Sequence, residues 1–208
     1  MSNSLDGLLD DFTLNSEVLA RLQIYKSLLA KWNKAINLVS AGTVDRIFER
    51  HFLDSAQLLQ LAPEEARTWA DLGSGGGFPG LVVAVFAASE RPELGITLVE
   101  ADLRKAEFLR TVSREMELSV EVRAERIEVC APLAADVVSA RALAPLPRLF
   151  GYAARHLAKD GMCLFMKGSR YDQEVQEASR TWSFRTEAVM SKTEPGSSVL
   201  LIRNLHRA

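Results

Sequence analysis

The sequence predicts an α/β protein, a doubly wound and mostly parallel sheet with a helical N-terminal extension. Three observations predict it. From Thr68 onward, short apolar runs alternate with helical segments, the pattern of strands covered by helices on both faces. The stretch WADLGSGGGFPG, Trp69 to Gly80, puts five glycines into eight residues directly behind the first such run. Near the end, SFRTEAVM and SSVLLIRN flank TEPG, which reads as an antiparallel hairpin closing the sheet.

The elements follow in order. Residues 16–34 are expected to be helical, with Leu19, Leu22, Leu29 and Trp32 at helical spacing and Ser16 capping ahead of Glu17. A second helical stretch begins at Thr43 and stops near Pro63, and no strand pattern appears before about residue 65. Residues 1–65 are therefore read as a helical cap and 66–208 as the α/β domain. There the strands are 69–72, ITLVE (96–100), VEVRA (120–124), DVVSA (136–140) and MCLFMK (162–167). Helices are expected over 80–89 and 102–116, with another opened by Pro145 or Pro147.

Composition narrows the class. The 208 residues are 48% apolar and 25% charged, ordinary for a soluble globular protein. No run approaches the roughly 18 apolar residues of a membrane span. The start, MSNSLDGLLDDF, lacks the basic segment of a signal peptide, so a cytoplasmic protein is expected. Cys130 and Cys163 have neither metal-ligand nor redox spacing, and His51, His156 and His206 are scattered. Reduced thiols and no metal are expected. No long apolar heptad pattern argues for a coiled-coil dimer, and a monomer is expected.

Net charge is −2, which argues against general nucleic-acid binding. Its distribution is uneven. Residues 21–51 carry Arg21, Lys26, Lys31, Lys34, Arg46 and Arg50 against Asp45 and Glu49. Residues 141–170 carry Arg141, Arg148, Arg155, Lys159, Lys167 and Arg170 against Asp160 alone. These blocks fit either one phosphate-facing surface or ordinary solvated helix faces.

The glycine stretch is the chemical centre. A strand ending at Asp71, a bare turn and a helix set backbone amides beside a ligand, and glycine admits positive φ and close approach. Gly75-x-Gly77-x-x-Gly80 fits a dinucleotide fingerprint, with Glu100 twenty residues beyond Gly80 as the ribose acid. Read as Asp71-x-Gly73-x-Gly75-x-Gly77, the same stretch matches the first motif of S-adenosyl-L-methionine-dependent methyltransferases. Both registers use Glu100 for ribose hydroxyls. Pro79 removes an amide where a pyrophosphate wants donors, and the terminal hairpin suits a methyltransferase, so the second register is preferred. Neither a P-loop nor a Gly-x-Ser-x-Gly elbow is present.

Five blocks, in order, resemble the bacterial small-subunit ribosomal RNA guanine-N7 methyltransferases, the glucose-inhibited division protein B family. They are KWNKAINLVS (31–40), RHFLDS (50–55), DLGSGGGFPG (71–80), LVEADLRKAEFLR (98–110) and SARALAPL (139–146). The resemblance implies a class I methyltransferase fold, S-adenosyl-L-methionine as cofactor, and one guanine of 16S ribosomal RNA (position 527) as acceptor. It implies cofactor contacts from Gly73, Phe78, a pair after the third strand, and Arg141. RAERIE allows two such pairs, Ala124-Glu125 and Ile127-Glu128. The second is preferred because the site should follow the strand's end.

The residues speak to the acceptor independently. Guanine N7 carries a lone pair and no proton, so attack needs no general base, and no obvious base is present. The Asp/Asn-Pro-Pro-Tyr motif of amine methylation is missing, as is a Pro-Cys nucleophile for pyrimidine C5. Arg141 follows an apolar strand, where it can bind a carboxylate, a phosphate or the guanine edge. Lys167 ends the next strand as a similar candidate. Asn37, His51, Asp54 and Ser55 are expected either to shape the RNA entrance or to be structural, with Asp54 and Ser55 capping a helix and His51 partly buried. Lys31, Lys34 and Arg50 are expected on phosphates, and Trp32 and Phe52 in the core. The competing classes are an NAD-dependent oxidoreductase and a non-catalytic ribosome-assembly module.

Overall fold

In a computed structural model, which describes residues 14–40, 42 and 46–208, the first helix is α1 (Ser16–Trp32). Its cap is Asn15, one residue before the serine expected there, and the Asn15 side chain accepts from the Val18 amide at 2.9 Å. Such a cap is worth about 1 kcal/mol. Val18, Leu22, Tyr25 and Leu29 form the buried face of α1, spaced to fall on one side of a helix.

The second helical stretch has two parts. A π-helical turn, Phe48–Leu53, runs directly into α2 (Asp54–Leu61). The expected start at residues 43–45 lies outside the described residues. Asp54 and Ser55 therefore sit within a continuous helical stretch and cap nothing, because the π turn hands its backbone bonds straight on.

The α/β part runs β1 (Thr68–Leu72), α3 (Gly80–Glu90), β2 (Gly95–Val99), α4 (Leu103–Glu115) and β3 (Val120–Arg123). It continues with β4 (Ala135–Arg141), α5 (Leu146–His156), β5 (Leu157–Lys167), α6 (Tyr171–Ala178), β6 (Trp182–Met190) and β7 (Ser198–Arg207). These strands form one seven-stranded sheet in the order β3-β2-β1-β4-β5-β7-β6. β1 to β5 are parallel, while β7 runs antiparallel to both β5 and β6. From β1 the chain first winds outward through β2 and β3, then returns to β4 on the other side. The carboxyl ends of β1 and β4 thus flank the switch point where ligands bind in such sheets.

Each face of the sheet has its own core. On one, α1, the π turn, α2, α3 and α4 share a continuous apolar cluster with Trp69, Leu98, Val137 and Leu164. On the other, Leu149, Phe150 and Ala153 of α5 pack on Val138, Phe165 and Leu200, with Trp182 at the edge. Both cysteines are free and buried. Among the described residues no helix is long and apolar enough to cross a membrane.

Candidate functional site

The turn after β1 is held open by its own hydrogen bonds. Gly73, Gly75 and Gly77 all take positive φ, and a Cβ on Gly77 would lie 2.3 Å from the Tyr25 hydroxyl. The Gly73 and Ser74 amides donate to the Val99 carbonyl at 2.8 and 3.2 Å, and those of Gly77 and Phe78 to the Ser74 carbonyl at 2.7 and 3.2 Å. Gly75 donates to Glu100 Oε2 at 2.8 Å and Gly80 to Asp71 Oδ2 at 3.2 Å. Pro79 has no amide, so among the described residues only Gly76 keeps an unpaired one in this loop.

Two buried carboxylates organise the turn. Asp71 Oδ1 accepts from Ser139 Oγ at 2.7 Å, and Ser139 Oγ accepts from Trp69 Nε1 at 2.8 Å. This links β1, β4 and the start of α3. Burial is the main cause that pushes the Asp71 pKa up, to about 6, with the Ser139, Ser74 and Gly80 hydrogen bonds opposing it. Glu100, at the end of β2, bridges the Gly75 amide and the Asp102 amide, each at 2.8 Å.

From behind, α1 braces the same turn. The Tyr25 hydroxyl donates to the Gly76 carbonyl, and its ring stacks on Phe78 at 5.5 Å between centroids. His51 lies against the same Phe78 ring at 4.7 Å. Burial, aided by Arg141 and Arg50, lowers the His51 pKa to about 4, so its imidazole is neutral near pH 7.

In front of the turn is a cleft of about 510 Å³. Gly73, Gly75, Phe78, Glu100, Ile127, Glu128 and Arg141 all line it, together with His51. Ala124 and Glu125 are not among its lining residues. Ile127 is held in place by His156 of α5, whose Nε2 is 2.9 Å from the Ile127 carbonyl. Asn37 is exposed and outside the lining, although Leu38 and Val39 beside it form part of the wall. Lys31 and Lys34 are exposed, away from the cleft.

A second cavity of about 420 Å³ adjoins the cleft at Arg141, Ala142 and Leu143, which line both. Lys167 lies here, with Arg50 and Asp54. Three ion pairs face it. Arg141 Nη2 is 3.4 Å from Asp54 Oδ2, Arg50 Nη2 is 2.6 Å from Glu194, and Lys167 Nζ is 2.7 Å from Glu174. Arg141 Nη2 also donates to the Arg50 carbonyl at 2.9 Å, while its Nη1 is buried without a partner. Ser191, in the turn between β6 and β7, donates to Asp54 Oδ1 at 2.6 Å and ties the hairpin to α2.

Sequence reasoning did not pick out Tyr25, Ser139, His156, Glu174, Ser191 or Glu194. Ser139 had a local signal, a polar residue inside an apolar strand. Tyr25, His156, Ser191 and Glu194 act through partners distant in sequence, and nothing local marks them; Glu174 pairs with Lys167 seven residues away. Phe52 is fully buried, and Trp32 packs at 5.7 Å on Phe108.

The sheet order, terminal hairpin and glycine turn define a class I methyltransferase fold, and solved structures share it. An O-methyltransferase from Bacillus cereus in complex with SAH aligns with a TM-score of 0.58 at 14% identity, covering 97% of each chain. The T. thermophilus 16S rRNA N2 G1207 methyltransferase, in complex with AdoMet and guanosine, aligns at 0.53 and 18%, covering 72% of this chain and 38% of that one. The family itself comes from sequence. Residues 18–200 match the GidB model, rRNA small subunit methyltransferase G, and the chain belongs to that family. Proteins named ribosomal RNA small subunit methyltransferase G are similar over nearly their whole length. The one from Parvibaculum lavamentivorans is 49% identical, covering 93% of this chain and 86% of its own. That from Ruegeria sp. is 45% identical, with 95% and 96% covered.

Proposed function

We propose that the protein transfers the methyl group of S-adenosyl-L-methionine to N7 of one guanine, position 527, of 16S ribosomal RNA. The observation that carries the cofactor reading is the spent set of loop amides. Six of them are already bonded inside the protein, and two carboxylates, Asp71 and Glu100, lie directly beneath. A pyrophosphate would find one free donor there and two negative charges. A cationic cofactor without phosphates fits that surface, and an NAD-dependent oxidoreductase does not.

In this reading Glu100 takes the ribose hydroxyls, and Ile127 and Glu128 flank the adenine. Arg141, whose Nη1 has no partner, takes the cofactor carboxylate. Bound there, S-adenosyl-L-methionine supplies an electrophilic methyl on sulfur. The chain's task is to hold a guanine in line with it, and such positioning can supply several kcal/mol of the barrier or more. The N7 lone pair makes the new bond and no proton moves. Neutral His51 serves as a wall beside Phe78, and Asn37, Lys31, Lys34 and Arg50 form the RNA-facing side of the helical cap. The protein works as a cytoplasmic monomer on the RNA or the small subunit.

Labelled S-adenosyl-L-methionine and small subunits from a strain lacking this enzyme test the reading. Expected is label at a single guanine as N7-methylguanine, with little transfer by Lys31, Lys34 and Arg50 alanine variants at raised salt. No label, with S-adenosylhomocysteine still bound, would reject the acceptor and keep the cofactor.

A further inference from the structure

The second cavity carries an inference that rests on this methyl-transfer reading and deepens it. An acceptor in line with the methyl must come from a space that adjoins the cofactor cleft. The 420 Å³ cavity does so, with Arg141, Ala142 and Leu143 lining both. With N7 turned toward the cofactor cleft, the rest of a guanine would point into the cavity: first O6, then N1–H, then the exocyclic amine.

One ion pair there, with Glu174 28% exposed, is fixed in place by backbone. The Lys167 side chain is 11% exposed; its Nζ donates to the Ala144 carbonyl at 2.8 Å and to Glu174 Oε2 at 2.7 Å. Glu174 Oε2 also accepts from the Leu146 amide at 2.8 Å. Both anchors belong to the segment just after the shared wall, so the pair is positioned relative to the cofactor cleft by backbone. Glu174 Oε1 has no partner among the described residues, and Lys167 keeps a third donor. Arg50–Glu194 is more open at its basic end, Arg50 being 33% exposed against 11% for Lys167, and lies between the cap and the hairpin turn. The carboxylate of Asp54 is already taken up by Gln57, Ser191 and Arg141.

We propose that Lys167 and Glu174 together read the acceptor base, Lys167 donating to O6 and Glu174 accepting from N1–H. A donor beside an acceptor is the complement of the guanine edge, where O6 accepts and N1–H donates. Adenine shows the reverse, an amine donor beside an N1 acceptor, and would set donor against donor. The pair thus selects guanine over adenine although both bases carry an N7 lone pair. Glu174 is a specificity residue and moves no proton.

The test compares Glu174→Gln and Glu174→Asp with the unaltered protein on reconstituted small subunits. These carry either the target guanine or an adenine in its place, and labelled S-adenosyl-L-methionine is the donor. The unaltered enzyme should label guanine and leave adenine at background. Glu174→Gln should lose about 10- to 100-fold in kcat/KM on guanine, the value of one well-made base contact, and its guanine-to-adenine ratio should fall. Binding of S-adenosylhomocysteine should stay within about twofold of normal, since Glu174 does not line the cofactor cleft. Glu174→Asp, which keeps the charge, should retain the ratio better than Gln. If Gln labels guanine at the normal rate with an unchanged ratio, the base-reading role is wrong. If it instead loses cofactor binding along with transfer, Glu174 is structural and the inference also fails. Should the unaltered protein label no guanine at all, the methyl-transfer reading falls first and takes this one with it.

Discussion

The two cavities that meet at Arg141 are built from different materials. The first is framed by backbone: glycines at positive φ, amides bonded inside the turn, and carboxylates held by main-chain donors. The second cavity is framed by side-chain ion pairs, Arg50 to Glu194 across 144 residues and Lys167 to Glu174 across seven. Backbone framing fixes a shape and tolerates little change in it. Ion-pair framing presents donors and acceptors and can be altered with the shape kept. A cofactor common to a large fold class suits the first, and a particular acceptor base suits the second.

The sharpest break in that contrast should come from the glycine turn. Gly77→Val puts a branched side chain at φ +91°, where a Cβ would lie 2.3 Å from the Tyr25 hydroxyl and 2.7 Å from Leu81. Backbone strain and overpacking together should cost about 3 kcal/mol or more, read as a shifted urea midpoint with S-adenosylhomocysteine binding lost. Gly75→Ala is the companion. Its φ is +56°, but the nearest atom to a Cβ is the Gly73 carbonyl at 3.8 Å, so strain alone should cost about 1 kcal/mol. Equal effects would mean that φ matters in this turn and close approach does not.

Two buried titrating groups, His51 and Asp71, give the next effect, with opposite signs. His51 takes up its proton near pH 4 when folded and near 6.5 when unfolded, so its contribution to stability rises with pH across that window. Asp71 loses its proton near pH 6 when folded and near 3.8 when unfolded, so its contribution falls as pH rises. Relative to the unaltered protein, His51→Gln should gain about 2–3 kcal/mol as pH drops from 6.5 to 4. Asp71→Asn should lose a similar amount on the way from 6 to 3.8. Denaturant melts across that range check both, and curves parallel to the unaltered protein's would contradict the burial argument.

Smaller effects separate the ion pairs. A double-mutant cycle on Asp54→Asn and Arg141→Gln should give a coupling of about 1 kcal/mol, since Asp54 is 5% and Arg141 22% exposed. The same cycle on Arg46 and Glu49, exposed at 58% and 36%, should give no more than about 0.5 kcal/mol. Comparable couplings would remove the distinction between a structural pair at the cavity and a solvated one.

The same contrast explains how much the sequence could tell. The strands announced themselves by apolar runs, and the lining of the first cavity lay in short contiguous blocks: Gly73 to Phe78, Glu100, Ile127-Glu128 and Arg141. The second cavity depends on pairs such as Asp54 with Ser191 and Arg50 with Glu194, separated by 137 and 144 residues. No local pattern links them. The helix α6 went unread because only Ala178 of it is buried, leaving no apolar stripe to count. The π turn went unread because its wider bonding leaves no mark on residue spacing. Asp54 and Ser55 looked like a helix start for the same reason, in a sequence where the helix had already begun.

A co-crystal with S-adenosylhomocysteine and guanosine tests the central claim most directly. The account predicts the sulfur in the first cavity beside Arg141 and the base in the second, N7 facing the sulfur across room for one methyl group. Glu100 should meet the ribose of the cofactor, and Lys167 and Glu174 the edge of the base. A base that turns its N1–H or amine toward the sulfur, or that binds outside the second cavity while the crystal enzyme remains active, would contradict it.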